Sequence, residues 1–124
     1  MTGDALILVA DDDEDILQLV RIRLERAGYA TVGAVDGDEA LRLALERRPD
    51  LCILDVVMPG RTGFEVLAEL RVREETASTP VILLTATVQE RQEGALARAA
   101  DAYLTKPFRP AELEERVRAL LGRG

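Results

Sequence analysis

Four apolar stretches of the chain lead directly into residues that could do chemistry. Asp11 and Asp12 follow the first stretch, Asp55 ends the third, Thr85 follows the fourth and Lys106 follows the fifth. If these stretches are parallel strands, their carboxyl ends meet at one edge of a sheet and the polar side chains converge there. Carboxylates packed together repel one another unless they share protons or hold a cation, and oxygen ligands suit Mg²⁺ or Mn²⁺. The spacing therefore predicts a divalent metal site with a lysine and a hydroxyl beside it.

The acidic residues also have an ordinary structural interpretation. The run from Asp11 to Asp15 could be a helix start, where negative side chains interact favourably with the helix dipole. We favour that interpretation for Asp13 and Asp15. For Asp11 and Asp12, which directly follow an apolar strand and would face Asp55, we favour metal binding.

The remaining candidates are less distinctive when taken one at a time. Lys106 could be a solvated surface lysine. However, it follows a predicted buried strand, and Pro107 restricts its backbone, so we expect its side chain to have a fixed direction. Thr85 and Tyr103 fit ordinary strand positions as well as they fit a functional role. Only their place beside the carboxylates favours function.

Five short apolar or β-branched runs must position these residues. They are predicted as strands over Ala5–Ala10, Ala30–Val35, Leu51–Leu54, Val81–Leu84 and Ala102–Thr105. The first, third and fourth are continuously apolar, which is typical of strands in a parallel sheet that helices cover on both faces. These three strands are expected in the middle of the sheet.

Amphipathic segments lie between the runs and predict helices. The first ends at Gly28, a good C-terminal stop. Its apolar stripe is predicted to contain Ile16, Leu19, Val20, Leu24 and Ala27.

Further helix starts are marked by capping boxes and by a proline. The boxes pair Asp36 with Glu39, Thr62 with Glu65, and Thr87 with Glu90. The last helix is predicted to begin near Pro110. It would place inward Leu113, Val117, Leu120 and Leu121.

Alternation of five strands with five helices predicts an α/β fold with a doubly wound parallel sheet and right-handed crossovers. The chain contains no internal repeat, linker or low-complexity segment. Residues 1–124 are therefore expected to form a single domain.

Composition narrows the class of function. Sixteen basic and 23 acidic residues give a net charge of −7, which disfavours direct nucleic-acid binding. The lone Cys52 lies in an apolar run and is interpreted as core packing in a reducing compartment. The sequence shows no basic leader and no stretch near the ~18 apolar residues that span a bilayer, so we expect a cytoplasmic protein that is neither exported nor inserted.

Four motifs in order resemble the receiver domain of two-component response regulators, a CheY-like superfamily. They read ILVADDD at 7–13, LDVVMPG at 54–60, LTA at 84–86 and YLTKPF at 103–108. The resemblance covers essentially the whole chain. It implies a flavodoxin-like strand order 2-1-3-4-5 and a cis bond between Lys106 and Pro107.

The resemblance implies a phosphoacceptor at Asp55. The donor would be a phosphohistidine on a sensor histidine kinase or a histidine phosphotransfer protein. Mg²⁺, or Mn²⁺ in its place, would be bound by Asp12, Asp55 and the backbone carbonyl of Val57, with Asp11 acting nearby through water. The phosphoryl oxygens would be bound by Lys106, the Thr85 hydroxyl and the Ala86 N–H.

The resemblance also implies a two-state switch. Thr85 would move toward the phosphoryl group, Tyr103 would turn inward, and the surface of the fourth helix, fifth strand and fifth helix would change its binding preference. The partner that binds this surface would be a downstream effector protein or an output domain. The domain would be a monomer or a phosphorylation-dependent dimer.

The chain departs from the usual receiver pattern at a few positions. Arg61 and Thr62 stand where many receivers have Met-Asp, and Thr62 can still cap a helix. Ala100 replaces a glycine, so a left-handed turn there would be strained or different. Ala102 replaces an aspartate that supports dimerisation in transcription-factor receivers, which makes that dimer less secure.

Two other functions are considered. A receiver-like module could bind proteins without phosphorylation, but such modules usually lack part of the acid and lysine set that is intact here. A dehalogenase-type phosphatase would need Asp-x-Asp-x-Thr, and residues 55–59 read DVVMP, so turnover of external substrates is not expected. Self-dephosphorylation is expected to be slow and to be tuned by Val57 and Thr87.

Overall fold

A computed structural model describes residues 4–86 and 99–122. Its centre is a five-stranded sheet in the order β2-β1-β3-β4-β5, and every neighbouring pair is parallel. The strands are β1 (Leu6–Ala10), β2 (Ala30–Ala34), β3 (Leu51–Asp55), β4 (Val81–Thr85) and β5 (Ala102–Thr105). The predicted strand order is confirmed, and each predicted strand is present to within a residue at either end.

The described ranges contain four helices, two on each face of the sheet. They are α1 (Glu14–Arg26), α2 (Gly37–Arg47), α3 (Gly63–Arg71) and α4 (Pro110–Leu120). The helix that the Thr87–Glu90 capping box predicts between β4 and β5 lies outside the described residues. The last helix of the chain, the fifth in the sequence prediction, is therefore α4 here.

Capping side chains start the helices as the sequence predicts, with one variation. Thr62 and Glu65 form a complete capping box at α3. At α2 the Asp36 carboxylate accepts the Glu39 N–H, but the Glu39 carboxylate accepts the N–H of Val35. The reciprocal half of that predicted box is thus shifted by one residue, which still satisfies a backbone donor at the helix entrance.

The predicted apolar stripe of α1 is partly wrong. Leu17, Val20 and Leu24 are buried, whereas Leu19 is 50% exposed and Ala27 is also exposed. Positions i, i+3 and i+7 share one face at about 100° per residue, and a side chain two residues from Leu17 points away from that face. The face of α1 that contains Leu17 packs against the sheet, so Leu19 on the other side is exposed to solvent.

The core has two halves because successive strand residues point to opposite faces of the sheet. Leu8 and Leu54 pack with α2 and α3 on one face. Val9 and Ile53 pack with α1 and α4 on the other face. Each central strand is buried on both sides, and this explains the continuous apolar runs in the sequence.

Several smaller expectations can also be compared with the structure. Cys52 is buried, and burial raises the pKa of its thiol to about 12, as expected of a packing residue. The Lys106–Pro107 bond is cis, as predicted. Among the described residues Arg48 alone is a non-glycine with positive φ, so Ala100 does not adopt the left-handed turn in question.

Within residues 4–86 and 99–122, the helices are too short or too polar for any of them to cross a bilayer.

Candidate functional site

The carboxyl ends of four neighbouring strands bring the predicted site residues together. Asp55 is the last residue of β3 and Thr85 is the last residue of β4. Asp11 follows β1, where its N–H donates to Ala34 of β2 over 3.1 Å. Lys106 follows β5, and its N–H donates to the Thr85 carbonyl over 2.7 Å. Parallel pairing therefore places all four at one edge of the sheet.

Lys106 links two buried carboxylates. Its Nζ donates to Oδ2 of Asp11 over 2.9 Å and to Oδ2 of Asp55 over 3.0 Å. Asp11 is fully buried and Asp55 is 6% exposed, so these are charge-assisted bonds shielded from water. The lysine that the sequence left ambiguous thus points into the site.

Burial and charge perturb both partners of the Lys106–Asp55 bond. The pKa of Asp55 is raised to about 6: burial raises it most, the Lys106 hydrogen bond lowers it, and the negative charge of Asp11 raises it further. For Lys106, burial lowers the pKa, but the hydrogen bonds to Asp11 and Asp55 outweigh burial and the net shift is upward. The lysine therefore stays charged, and Asp55 is held in a site that disfavours a second negative charge.

The loop into α1 builds one side of the site. The Asp13 carboxylate accepts the N–H groups of Asp15 and Ile16 and caps the helix, which confirms the structural interpretation of Asp13. The N–H of Asp13 in turn donates to Oδ1 of Asp11 over 2.9 Å. Asp13 therefore both caps α1 with its side chain and orients the Asp11 carboxylate with its backbone N–H.

Asp11, Asp12 and Asp55 can each offer a carboxylate oxygen, and these oxygens all lie within 4.8 Å of one another. Asp12 is exposed, whereas the other two are buried, so the cluster is open to solvent on one side. Hard oxygen donors with an open side suit a divalent cation that keeps several waters, as Mg²⁺ does. The residues present fit such an ion.

Val57 lies two residues after Asp55 in the loop that leads to α3. Its side chain is 63% exposed, and its N–H makes a long contact of 3.4 Å with Oδ1 of Asp55. The part of this loop that touches the phosphoacceptor candidate is therefore its backbone. Ligation of a metal by the Val57 carbonyl stays a prediction.

The Thr85 hydroxyl is a buried polar group without a hydrogen-bond partner among the described residues. Its Oγ1 is inaccessible to solvent and makes no hydrogen bond within the described part of the chain. Ala86, whose N–H is a predicted phosphoryl donor, follows it and is exposed. Thr85 ends the strand that lies between the strand of Asp55 and the strand that leads to Lys106, so its buried hydroxyl suits a ligand oxygen better than a packing role.

Tyr103 lies in β5, opposite Leu83 of β4, and packs partly buried against the α2 and α3 side of the core. It is therefore close in the fold to the Thr85 strand without being part of the carboxylate cluster. The movements predicted for Thr85 and Tyr103 stay predictions.

Sequence reasoning missed two glycines that shape the site. A Cβ at Gly63 would collide with the carbonyl oxygen of Asp55, and a Cβ at Gly37 would collide with the carbonyl of Arg61. The only signal in the sequence is a glycine at the first position of a predicted helix, beside a good cap. Each close approach is a tertiary contact between a helix start and a loop or strand end, which no local pattern predicts.

An apolar groove of about 370 Å³ opens beside the site and was also missed. It combines the exposed side of α1 with the loop after β5. Its lining residues are Ile16, Leu19, Ala86, Lys106, Pro107 and Phe108. The Leu19 side chain, which is exposed and not buried as the predicted stripe of α1 required, forms one wall of the groove.

Comparison with known proteins places these features in a family. Residues 7–118 match the model of the response regulator receiver domain. The chain is 44% identical over 118 residues to the alkaline phosphatase synthesis transcriptional regulatory protein PhoP of Bacillus subtilis, covering 94% of this chain and 48% of that protein. The chain spans about half the length of the first curated relatives it matches.

Solved structures agree with the sequence relatives. The chemotaxis response regulator CheY4 of Vibrio cholerae has a TM-score of 0.88 and 37% identity, covering 95% of this chain and 99% of that chain. The receiver domain of the sensor histidine kinase PA1611 from Pseudomonas aeruginosa, which has a magnesium ion coordinated in its active site cleft, has a TM-score of 0.89 and 30% identity, covering 97% and 99%. The carboxylate cluster, the strand order and these matches agree, and the chain belongs to the response regulator receiver domain family.

Proposed function

We propose that residues 1–124 form a single receiver domain that takes a phosphoryl group from a phosphohistidine onto Asp55. The observation that carries this proposal is the Asp55 carboxylate, buried at the end of β3, hydrogen-bonded to Lys106 and clustered with Asp11 and Asp12. A carboxylate in that position is a nucleophile surrounded by the charges that phosphoryl transfer needs.

In the proposed reaction a carboxylate oxygen of Asp55 forms the new bond to phosphorus. The bond from phosphorus to the donor imidazole nitrogen breaks, and its electron pair stays with that nitrogen, which takes up a proton. Asp12, Asp55 and the Val57 carbonyl would hold Mg²⁺ or Mn²⁺, with Asp11 acting through water; the bound cation would supply positive charge between two anionic groups.

The chain's own cationic and polar groups act on the transferred phosphoryl oxygens. Lys106 already holds a carboxylate oxygen at 3.0 Å, and its ammonium would neutralise charge as the acyl phosphate forms. The Thr85 hydroxyl would gain the partner it lacks among the described residues, and the Ala86 N–H would donate beside it. Thr85 and Ala86 thereby couple the phosphoryl group to the end of β4.

The output would be a change of surface. Movement of Thr85 frees space for Tyr103 to turn inward, and the face formed by the fourth helix of the sequence prediction, β5 and α4 would then bind a downstream effector or output domain. The first curated relatives are transcriptional regulators about twice as long as this chain, so an attached output domain is one proposed partner of this surface. The net charge of −7 argues against direct nucleic-acid binding by this domain.

The apolar groove suits the phosphohistidine donor. It adjoins Lys106 and is walled by Leu19 and Phe108, so an amphipathic helix laid in it would bring a histidine to the carboxylates. A sensor histidine kinase or a histidine phosphotransfer protein is the proposed occupant, and we place the reaction in the cytoplasm. The partnership would be transient, as a monomer or as a phosphorylation-dependent dimer.

The alternative of a phosphorylation-independent binding module has less support. It leaves without a use two buried carboxylates, the half-buried lysine that bonds to both, and a buried hydroxyl with no partner among the described residues. A module that only bound proteins would gain stability by replacing such groups with apolar side chains.

A small donor with a phosphorus–nitrogen bond tests the proposal directly. Phosphoramidate with Mg²⁺ should label the protein, and hydroxylamine should release the label because it cleaves acyl phosphates. Lys106→Met should keep the fold and lose most of the labelling rate. Label that resists hydroxylamine, or equal labelling of the Lys106 variant, would count against Asp55 chemistry.

A further inference from the structure

The loop that follows Asp55 is seated on the first turn of α2. The N–H of Gly37, the first residue of α2, donates to the carbonyl of Pro59 over 3.0 Å. A Cβ added at Gly37 would collide with the carbonyl of Arg61 and lie 2.8 Å from its Cα. These are backbone atoms, so no flexible side chain can move aside to make room.

Gly37 is not required by the conformation of its own backbone. The described glycines with positive φ are Gly28, Gly60 and Gly122, and Gly37 is not among them. Alanine is also the better helix former, so nothing in α2 itself requires a glycine at this position. The glycine is explained by the loop that lies against it.

The second link between loop and helix is weaker. Arg61 forms an ion pair with Asp38 at 3.0 Å, but the two side chains are 43% and 65% exposed, and such pairs contribute little. Gly60 adds another close approach, because a Cβ there would lie 2.5 Å from Oδ2 of Asp38. Backbone packing therefore holds the loop on α2.

The seated loop contacts the reacting carboxylate. Val57, two residues before Pro59, directs its N–H at Oδ1 of Asp55 over 3.4 Å. At the other end of the loop, Gly63 lies against the Asp55 carbonyl and its N–H donates to Val56 over 2.9 Å. A shift of Pro59 and Arg61 away from α2 would therefore move the groups that orient Asp55.

We infer that Gly37 is a positioning residue, which seats the loop after Asp55 and thereby sets the carboxylate geometry for cation binding. This inference rests on the proposed function. Displacement of groups that orient ligands typically costs about 10-fold or more in metal affinity. Gly37→Ala should thus weaken Mg²⁺ binding about tenfold while α2 stays folded.

The test compares Gly37→Ala with wild type and with Gly33→Ala. At Gly33 the atoms nearest to an added Cβ belong to the Arg21 and Leu17 side chains, at 3.0 to 3.4 Å, and these side chains can shift to make room. Calorimetry gives the Mg²⁺ dissociation constant, and acetyl phosphate labelling at varied Mg²⁺ gives the half-saturating concentration. Both should rise about tenfold in Gly37→Ala and change less than twofold in Gly33→Ala. Labelling at saturating Mg²⁺ should recover.

A measurement on the wild type covers the case in which Gly37→Ala does not fold. Coupling between two events is reciprocal, so Mg²⁺ should slow amide exchange at Gly37 if loop seating favours Mg²⁺ binding. The Tyr29 amide, which donates to Leu24 over 3.1 Å at the far end of α1, is the internal control.

Each outcome has one meaning. Greater slowing of exchange by Mg²⁺ at Gly37 than at Tyr29, or a selective loss of Mg²⁺ affinity in folded Gly37→Ala, supports the inference. Equal slowing at both amides, or a folded Gly37→Ala with wild-type Mg²⁺ affinity, overturns it. A wild type that neither binds Mg²⁺ nor becomes labelled would instead overturn the proposed function.

Discussion

Nζ of Lys106 lies 3.0 Å from Oδ2 of Asp55, so the ammonium that follows β5 reaches the carboxylate that ends β3 across the strand between them. The same ammonium holds Asp11 at 2.9 Å. One cation thus faces two buried carboxylates, with the Asp12 carboxylate nearby. The excess negative charge is a cost to the metal-free fold that a bound divalent cation would relieve.

The first prediction concerns stability of the metal-free protein. The pKa of Asp55 is raised to about 6, mainly by burial, so the folded state disfavours the ionised form. A raised carboxyl pKa stabilises the fold at low pH, and this contribution is lost as pH rises through the folded pKa. In EDTA, Asp55→Asn should therefore melt at least about 3 °C above wild type at pH 7.5, with a smaller difference at pH 4.5.

Magnesium supplies the control for that prediction. Wild type should gain stability with Mg²⁺ concentration, because a ligand that binds only the folded state stabilises it, and Asp55→Asn should gain less. A metal-free Asp55→Asn that is less stable than wild type at pH 7.5 would contradict the excess-charge argument.

The second prediction uses the buried hydroxyl of Thr85, which has no partner among the described residues. Thr85→Val keeps the shape and removes the polar group, so the unphosphorylated protein should gain about 1 kcal/mol in its free energy of unfolding. The same change should slow labelling by acetyl phosphate. Thr85→Ser, which keeps the hydroxyl, should retain more of the labelling rate. Urea denaturation and labelling rates measure the two effects, and a Thr85→Val that loses stability while labelling normally would assign the hydroxyl a purely structural role.

The third prediction concerns the lifetime of the acyl phosphate. Val57 is 63% exposed and apolar, and it lies two residues beyond Asp55 where it can hinder an attacking water. Val57→Asn offers a polar group that can orient water, so the adduct should disappear at least about threefold faster after the donor is removed. Val57→Leu is the matched apolar control. A Val57→Asn adduct that lasts as long as the wild-type adduct would exclude this role.

The fourth prediction concerns Cys52. Burial raises the pKa of its thiol to about 12, so the native protein holds almost no thiolate at pH 7 to 9. Iodoacetamide should leave the folded protein unmodified across that range and should modify it rapidly in urea. Because the folded pKa is the raised one, the thiol's contribution to stability is present below its unfolded pKa and is lost at more alkaline pH. Rapid alkylation of the native protein at pH 8 would contradict the burial.

The strands and the residues at their ends could be predicted from the sequence because both are local signals. Continuous apolar runs mark β1, β3 and β4, and Asp11, Asp55 and Thr85 follow from where those runs end. Which face of α1 is buried could not be read as reliably. Leu17 and Leu19 are equally apolar, and packing on the sheet decides between them.

Contacts between distant segments could not be predicted from local patterns. The close packing of Gly37 against the backbone of Arg61 is one example. Arg71 is another, because it donates to the Thr79 and Ala99 carbonyls and to Asp101, joining the end of α3 to the approach to β5. Such contacts depend on how the strand order folds the chain back on itself, and no spacing within one element encodes them.

The central claim is most directly tested by intact mass spectrometry after incubation with acetyl phosphate, with and without Mg²⁺, on wild type and Asp55→Ala. The account predicts a phosphate-sized adduct on wild type that requires Mg²⁺ and is absent from Asp55→Ala. An adduct of the same size on Asp55→Ala, or no adduct on wild type under any condition, would contradict the assignment of Asp55 as the phosphoacceptor.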